Sequence, residues 1–420
     1  MKKKKIFVTL ITVVIFSLIF CINVFAEEPV INAKSAISVE TSTGKIVYEK
    51  NAHEKMYPAS TTKVMTALLV LENCKLDEKA KVSYEAIQAV PEGYSNANLQ
   101  VGEELSIEDL LYVLMIPSAN EAANVLAEHV AGTVESFATM MNTKAEELGC
   151  ETTHFVNPNG IHNENHYSSA YDLYLIAKEA MKNETFRKIV STSKYTLPET
   201  KVYTNNDRTF VNTNKLIVYN TSNRADNYFY KDAIGIKTGF TKEAGNCLIS
   251  AAAKDRLEFI NVVLNADITE DGLNHRFVDS IDLFNYDFDN YEKITLKEKN
   301  FKLENIEIKN ATKDTKNLDV NIKDEIIVLK NKNLNKDEIL PEIIYNDELI
   351  APISKGESIG TVTYKIDNIE YKSELIAGND VEQSYLNFYL VISGILLLII
   401  AIFIKPKPNK KHRKNLRNRS

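Results

Sequence analysis

Three short stretches of the sequence, far apart along the chain, hold residues that together could carry out acyl transfer at a serine. Residues 60–63 read Ser-Thr-Thr-Lys, residues 118–120 read Ser-Ala-Asn, and residues 237–239 read Lys-Thr-Gly. The first stretch offers a nucleophile and a basic amine, the second a hydroxyl and an amide, and the third a cation beside a glycine. A serine must be activated by a nearby base, so a fold that gathers these stretches would form an active site.

The Ser-x-x-Lys spacing alone is weak, because the chain repeats it elsewhere. The other matches are Ser42 with Lys45 and Ser191 with Lys194. Only Ser60 opens an apolar stretch with a helical pattern, where residues three apart lie on one face. The start of a helix also presents free N–H groups that can stabilise an oxyanion. A plain helix cap is the alternative interpretation of Ser60.

The elements that must position these residues follow an α+β pattern. Residues 35–50 alternate around a turn and predict a hairpin. Residues 103–131 predict two helices separated at Pro117, which places residues 118–120 at a turn. Further helices are predicted over 134–149 and 168–182, and further strands over 232–239 and 246–265. Strands at both ends of this region and helices between them predict a sheet assembled from distant parts of the sequence.

Beyond about residue 290 the pattern changes to short alternating segments, which predict a second, all-β domain over residues 291–380. The predicted strands are 305–309, 318–322, 325–329 and 359–366. No convincing catalytic cluster lies among them. We therefore expect the first domain, over residues 27–290, to hold the chemistry and the second to act as a spacer or a partner-binding domain.

Both termini predict export and membrane attachment. Residues 1–26 combine four lysines with an apolar run and predict a signal peptide, with an uncleaved anchor as the alternative. Residues 386–404 carry no charge and predict a transmembrane helix. The tail over 405–420 holds eight Lys and Arg and no acid, which favours the cytoplasmic side. The catalytic domain is then expected outside the membrane.

Charge and cysteine content exclude several classes of protein. Removing the +4 of residues 1–26 and the +8 of residues 386–420 from the net charge of −7 leaves −19 on the exported part, which disfavours nucleic acid as a partner. The three remaining cysteines lack the spacing of a disulfide framework or a zinc site. His154, His162 and His166 could suggest a metal, but no helical ligand pair is expected there. No metal and no cofactor are predicted.

The three motifs and their surroundings resemble those of the low-molecular-mass penicillin-binding proteins that act as serine D-alanyl-D-alanine carboxypeptidases. The similar segments are 57–66, 116–123, 153–160 and 235–241. The resemblance covers residues 30–290 strongly and residues 291–380 more loosely. It implies a β-lactamase/transpeptidase-like catalytic domain, a peptidoglycan stem peptide as substrate and β-lactam antibiotics as covalent inhibitors.

The resemblance also implies a role for each motif residue. Ser60 would attack the carbonyl of the penultimate D-alanine of a stem pentapeptide. Lys63 would accept the serine proton as a neutral amine, and Ser118 would pass a proton to the leaving amine. Backbone N–H groups of Ser60 and Phe240 would form an oxyanion hole. The residues implied to bind substrate are Asn120, Lys237, Thr238, Gly239, Phe240 and Arg276.

Three rival activities share the same fold. A class A β-lactamase needs a deacylating glutamate, but no Glu-x-x-Leu-Asn string occurs in residues 151–175. A non-catalytic wall-binding protein is disfavoured because all three motifs are intact. An endopeptidase or transpeptidase would use the same acyl-enzyme, and the sequence does not separate it from a carboxypeptidase.

Overall fold

The structure is a computed structural model that describes residues 28–205, 207–219 and 227–404. The predicted signal peptide over 1–26 and the basic tail over 405–420 lie outside these residues. The described chain divides into two compact units. The first comprises the described residues up to Lys293 together with Leu329–Leu334, and the second comprises Ile294–Val328 and the described residues from Asn335 onward. All three motifs lie in the first unit.

The first unit is built from short and long strands around a set of helices. Its strands are β1 (Ser35–Glu40), β2 (Ile46–Lys50), β3 (Lys79–Lys81), β4 (Glu104–Ser106), β5 (Lys194–Thr196), β6 (Thr209–Val211), β7 (Ala233–Thr241), β8 (Gly245–Lys254) and β9 (Leu257–Ala266). Its helices are α1 (Lys63–Asn73), α2 (Tyr84–Gln88), α3 (Ile107–Met115), α4 (Asn120–Ala131), α5 (Val134–Glu147), α6 (Ala170–Ala180), α7 (Glu184–Val190) and α8 (His275–Asn290).

The central sheet joins the two ends of this unit, as the strand pattern predicts. Its order is β2-β1-β9-β8-β7, and every neighbouring pair is antiparallel. Ser38 of β1 pairs with Asn261 of β9, and Gly239 of β7 pairs with Cys247 of β8. Among the described strands none pairs with the outer side of β7, so the strand that carries residues 237–239 lies at the edge of the sheet.

Both faces of the sheet are buried, which explains the almost continuous apolar sequence of β8 and β9. Ile260, Val262 and Leu264 pack with the large helical cluster on one face. Phe259, one residue out of phase, packs on the other face against aromatic side chains of α8 such as Phe284. Burial of each such side chain stabilises the fold by roughly 1.5–3 kcal/mol, so helices on both sides hold the sheet in place.

Two details of the helical layer differ from the sequence-based expectation. The α-helix predicted to open at Ser60 begins at Lys63, and Ser60 lies in a preceding 3-10 turn, Ala59–Thr62. The helix predicted from residue 103 begins at Ile107, because Glu104–Ser106 pairs with Lys79–Lys81 as a strand and Ser106 caps the helix. The predicted break at Pro117 is present, between α3 and α4.

The second unit is rich in strands, as expected for an all-β domain. Strands β10 (Tyr291–Lys297) and β13 (Ile326–Asn331), each with residues assigned to both units, form a pair of their own. The remaining strands form an antiparallel sheet in the order β11-β12-β16-β15-β14. They are β11 (Lys302–Glu307), β12 (Asn317–Ile322), β14 (Pro341–Tyr345), β15 (Ser358–Ile366) and β16 (Ile369–Ala377). A 3-10 turn, Lys336–Glu338, precedes β14.

A final helix, α9 (Leu386–Phe403), follows the second sheet and spans 18 residues. Within the part of the chain that the structure describes, no helix combines the length and the apolar content that crossing a membrane requires. The transmembrane helix predicted over residues 386–404 is therefore not confirmed.

Candidate active site

The backbone around Ser60 is held by two glycines that approach it closely. Ala59 adopts a positive φ of 48°, which is uncommon for a residue with a side chain. A Cβ on Gly160 would overlap the Ala59 carbonyl oxygen. A Cβ on Gly239 would lie 3.0 Å from Pro58 O and 3.2 Å from Ser60 N. A side chain at 239 would crowd the contact between β7 and the nucleophile turn, a reason for glycine that adds to the approach of a substrate.

Lys63 is fully buried, and its Nζ lies among three oxygen atoms. The distances are 2.9 Å to Ser60 Oγ, 2.8 Å to Asn120 Oδ1 and 2.6 Å to the Asn159 carbonyl. Burial, and then the charge of Lys237, lower the pKa of Lys63 well below its usual value. The lysine is therefore suited to being a neutral amine.

A neutral amine offers two N–H donors and one lone pair. Carbonyl oxygens can only accept, so Asn120 Oδ1 and the Asn159 carbonyl take the two N–H groups. The Ser60 hydroxyl is then the one neighbour among these three that can donate to the lone pair. This arrangement can move the serine proton to Lys63.

Asn120 stands at the first position of α4, and the Ser95 carbonyl fixes its amide. Its backbone N and its Nδ2 both donate to the Ser95 carbonyl, at 3.0 and 2.8 Å. With Nδ2 committed to Ser95, Oδ1 must face Lys63. Ser118 lies two residues earlier with a positive φ of 67°, and its Oγ is buried without a hydrogen-bond partner. That hydroxyl is available to a bound molecule.

The third motif places cationic groups beside the edge of the sheet. Lys237 Nζ donates to the Thr238 carbonyl at 2.9 Å. Burial, with the Arg276 guanidinium nearby, lowers the pKa of Lys237 to about 7. Arg276 Nη1 donates to the Gly239 carbonyl at 3.2 Å. Thr238 Oγ1 lies 2.6 Å from Thr213 Oγ1. A carboxylate bound here would meet the Arg276 guanidinium and the Thr238 hydroxyl, with Lys237 buried beside them.

A cavity of about 450 Å³ connects these groups. The predicted residues that line it are Ser60, Ser118, Thr238, Gly239, Phe240 and Arg276. Lys63, Asn120 and Lys237 are buried and contact that lining. Residues that the motifs did not predict also line it: Glu92, Gly93, Tyr94, Ser95, Thr213, Thr241 and Lys242. All nine predicted site residues are thus brought to one place.

Comparison with known proteins assigns this arrangement to a family. The sequence model of peptidase S11, described as D-alanyl-D-alanine carboxypeptidase, matches residues 23–268, more than half of the chain. The chain belongs to the peptidase S11 family. A second family model, described as Penicillin-binding protein 5, C-terminal domain, matches residues 291–383. The resemblance inferred from the motifs is confirmed, and the S11 domain is followed by an all-β domain.

Individual relatives of this S11 peptidase support the assignment. The chain is 34% identical over 360 residues to D-alanyl-D-alanine carboxypeptidase DacF of Bacillus subtilis (strain 168), covering 84% of this chain and 86% of that protein. Penicillin-binding protein 5 from Haemophilus influenzae is 25% identical, with a TM-score of 0.63 over 85% of this chain and all of that one. The Streptomyces K15 DD-transpeptidase is 36% identical, with a TM-score of 0.57 over 63% of this chain and all of that one. This S11 chain is a D-alanyl-D-alanine carboxypeptidase by family and by its relatives.

One histidine of the S11 domain supports the nucleophile segment. The Val156 N–H donates to His166 Nδ1 at 3.1 Å, so Nε2 carries the proton and donates to Thr62 Oγ1 at 2.8 Å. Burial lowers the pKa of His166 to about 3, which keeps the ring neutral. His166 thus connects residues 153–160 to the turn that contains Ser60. The absence of a metal remains a prediction.

Sequence reasoning missed the backbone groups of the site. The Asn159 and Ser95 carbonyls bind Lys63 and Asn120, yet any residue can supply a carbonyl. Asn159 lies in the segment 153–160 that resembles the family, which is the one signal that points to it. Thr213 gave no signal, because a lone threonine in a polar stretch has many ordinary roles.

Proposed function

We propose that Ser60, Lys63 and Ser118 carry the carboxypeptidase reaction of this chain, with peptidoglycan stem pentapeptides as substrate. The observation that carries the proposal is the placement of Lys63 Nζ 2.9 Å from Ser60 Oγ with its two N–H groups taken by other oxygens. With both N–H groups occupied, the lone pair of the neutral Lys63 amine is left to accept the serine proton.

The reaction then runs in two steps. Ser60 Oγ gives its proton to Lys63 Nζ and attacks the carbonyl carbon of the penultimate D-alanine. The C–N bond breaks, the amine of the terminal D-alanine takes a proton through Ser118 and leaves, and an ester on Ser60 remains. Water hydrolyses that ester, returning the proton to Ser60 and releasing the shortened peptide.

The remaining site residues bind and orient the substrate in this proposal. Thr238 and Arg276, which line the cavity, meet the terminal carboxylate, and Lys237, buried next to Thr238, adds positive charge behind them. Asn120 uses the second N–H of its Nδ2, beyond the one bound to Ser95, to donate to the substrate amide carbonyl. The backbone N–H groups of Ser60 and Phe240 stabilise the oxyanion. The free outer side of β7 gives an extended peptide an edge to lie along.

The test is release of D-alanine from a stem pentapeptide by matched variants. Ser60→Ala is expected to abolish release, because no hydroxyl remains to form the ester. Ser42→Ala is the control, since Ser42 shares the Ser-x-x-Lys spacing but bonds to Glu40 in the hairpin turn. Full release by Ser60→Ala would contradict the serine mechanism.

Transpeptidation is the second candidate, because a relative 36% identical to this chain is named a DD-transpeptidase. Both reactions pass through the same ester, and the acceptor decides between them. Mass spectrometry of the products separates the two. Loss of one D-alanine supports hydrolysis, and a cross-linked or internally cut peptide would favour a transpeptidase or an endopeptidase.

We also propose that the C-terminal helix anchors the enzyme in the membrane, with the catalytic domain on the outer side. Apolar side chains of α9 such as Leu390, Leu397 and Phe403 are exposed, and basic residues follow over 405–420. The full chain is expected in the membrane fraction, and a chain ending at Ser384 in the supernatant. Equal amounts of both chains in the supernatant would overturn this proposal.

A further inference from the structure

One wall of the cavity has neither helix nor strand. Glu92, Gly93, Tyr94 and Ser95 line the cavity, and the chain from Pro91 to Gln100 is irregular throughout. Such a segment is held by side chains or by contacts of its own backbone with the rest of the fold. The contacts at the far end and in the middle of the segment show which groups hold it.

The far end of the segment is fixed by a buried ion pair. Glu103 Oε2 accepts from the Gln100 N–H at 3.0 Å, and both Glu103 oxygens bind the Arg208 guanidinium. Glu103 and Arg208 are almost fully buried. The chain beyond Gln100 is therefore anchored independently of the cavity wall.

The middle of the segment is held by Glu121, in the first turn of α4. Glu121 is only 3% exposed, and its Oε1 accepts from the Ala97 N–H at 2.6 Å. Its other oxygen, Oε2, is buried without a hydrogen-bond partner. A backbone donor in the middle of an irregular segment thus depends on this one side chain.

The same segment supplies the group that fixes Asn120. Ser95 lies two residues before Ala97, and its carbonyl accepts both the N–H and the Nδ2 of Asn120. Asn120 Oδ1 in turn accepts from Lys63. Hydrogen bonds and the backbone of residues 95–97 therefore connect Glu121 to Asn120 and to the amine beside Ser60.

We propose that Glu121 is a positioning residue for the reaction: its carboxylate holds residues 95–97 against α4 and thereby keeps Asn120 and Lys63 oriented toward Ser60. The inference rests on the proposed function of Lys63. Glu121 does not line the cavity and does not touch the substrate. It acts through the Ser95 carbonyl and the Asn120 amide.

A second effect of the same carboxylate must be separated from positioning. The charge of Glu121 also favours the protonated form of Lys63, although burial and Lys237 act against it. Burial raises the pKa of Glu121 itself, which weakens that charge effect. Glu121→Gln keeps an oxygen acceptor for the Ala97 N–H and removes the charge, whereas Glu121→Ala removes both.

The test measures acylation of the full chain by a penicillin, resolved into the apparent dissociation constant and the limiting acylation rate. Glu121→Ala is expected to lower the limiting rate by about 10- to 100-fold, because small misplacements of catalytic groups cost that much. Glu121→Gln should stay within about threefold of wild type, a factor well below the cost of misplacement. Glu128→Gln, on the same helix and bonded to Ser83, is the control and should match wild type.

Amide hydrogen exchange of residues 94–99 supplies a readout apart from activity. Glu121→Ala should speed exchange of the Ala97 amide while the end anchored by Glu103 stays protected. A wild-type limiting rate in Glu121→Ala, or an equal loss in Glu121→Gln and Glu121→Ala, would overturn the proposal. If wild type itself is not acylated, the function proposed for Ser60 and Lys63 fails first. Acylation of wild type with no effect of Glu121→Ala refutes the positioning role alone.

Discussion

The chemistry at Lys63 depends on how three oxygen atoms share one amine. Two of them are carbonyl oxygens that can only accept, and the third belongs to the Ser60 hydroxyl. Burial and the nearby Lys237 charge favour the neutral amine. The same side chain is therefore both oriented and deprotonated by its surroundings.

Replacing the base tests this reading directly. Lys63→Met keeps a buried side chain of similar length but has no lone pair for the serine proton, so acylation by penicillin should slow by about 10²–10⁴-fold. Lys194→Met is the matched control, since Lys194 is also three residues after a serine and lies exposed on β5. Stopped-flow acylation of both variants is the measurement. A Lys63→Met rate equal to that of the control would exclude Lys63 as the base.

The pH dependence of substrate binding is set by a different lysine. The pKa of Lys237 is lowered to about 7, so its ammonium is charged below that pH and neutral above it. Attraction for the substrate carboxylate should therefore weaken as pH rises through about 7. KM for a pentapeptide should rise by up to about tenfold per pH unit on that limb. A KM that stays constant from pH 6 to pH 9 would contradict the role of Lys237.

The motif side chains could be predicted from the sequence because their types are unusual in combination. Ser60, Ser118 and Lys237 carry distinctive chemistry, and the family resemblance implied a role for each of them. The Ser95 and Asn159 carbonyls could not be predicted, because a backbone oxygen has no residue signature and only the folded path brings it to the site. Gly239 is predicted to bind substrate, which stays a prediction, and the structure adds its close approach to Pro58 and Ser60.

At the scale of elements, the site forms where a 3-10 turn, a helix start and an edge strand meet. The turn Ala59–Thr62 presents Ser60, α4 presents Asn120, and β7 presents residues 237–239. The loop 157–160 packs against α1 next to the site, since its Pro158 and Asn159 carbonyls accept hydrogen bonds from Thr66 and Lys63. The geometry of that loop depends on Gly160.

A substitution at Gly160 should therefore disturb both stability and activity. Gly160→Ala places a Cβ against the Ala59 carbonyl, so it should lower the melting temperature and the acylation rate together. Gly149→Ala is the matched control, because Gly149 has a similar φ of 80° but open space around it. The control should lose only roughly 1–2 kcal/mol of unfolding free energy, the cost of placing a residue with a Cβ in the left-handed conformation. Its acylation rate should stay unchanged. Equal effects of the two substitutions on acylation would refute the role of this loop at the site.

Element prediction from the sequence succeeded where the hydrophobic pattern was regular. The hairpin of β1 and β2, the break between α3 and α4 and the strands β8 and β9 follow the predicted ranges closely. Helix α8 was missed because its sequence is rich in Asp, Asn and aromatic residues, which are weak helix formers. Packing of Phe277 and Phe284 against the sheet stabilises it as a helix, and that contact cannot be read from local propensity.

At the scale of the whole molecule, both units were expected from the change in pattern near residue 290. The S11 domain and the all-β domain agree with that expectation. The transmembrane helix predicted over residues 386–404 is not confirmed, because no described helix meets the length and apolar content that crossing a membrane requires. The uncharged apolar sequence predicts a helix over this segment, and the structure contains one, α9, which ends at Phe403.

Stability of the first unit should depend on pH through Asp287, a fully buried residue of α8. Ser38 Oγ donates to Asp287 Oδ2 at 2.6 Å, yet burial raises the pKa of this carboxyl well above its usual value. A raised pKa in the folded state means that the stability contribution is present below the unfolded pKa and is lost as pH rises.

The corresponding substitution is Asp287→Asn, which keeps an oxygen acceptor for Ser38 and removes the charge. We expect its melting temperature at pH 8 to exceed that of wild type by about 2–4 °C per kcal/mol gained, and its pH dependence to be flatter between pH 5 and pH 8. Differential scanning calorimetry across this range is the measurement. A variant less stable than wild type at pH 8 would contradict this account.

The central claim is that Ser60 forms the acyl-enzyme in the cavity of the S11 domain. The most direct measurement is intact-mass spectrometry of the chain after brief exposure to a penicillin, followed by peptide mapping. We predict one added penicillin per chain, located on the peptide that contains Ser60 and absent in Ser60→Ala. The adduct should persist because residues 151–175 lack the Glu-x-x-Leu-Asn string of a class A β-lactamase. An adduct on another residue, or penicillin hydrolysed rapidly with no adduct, would contradict it.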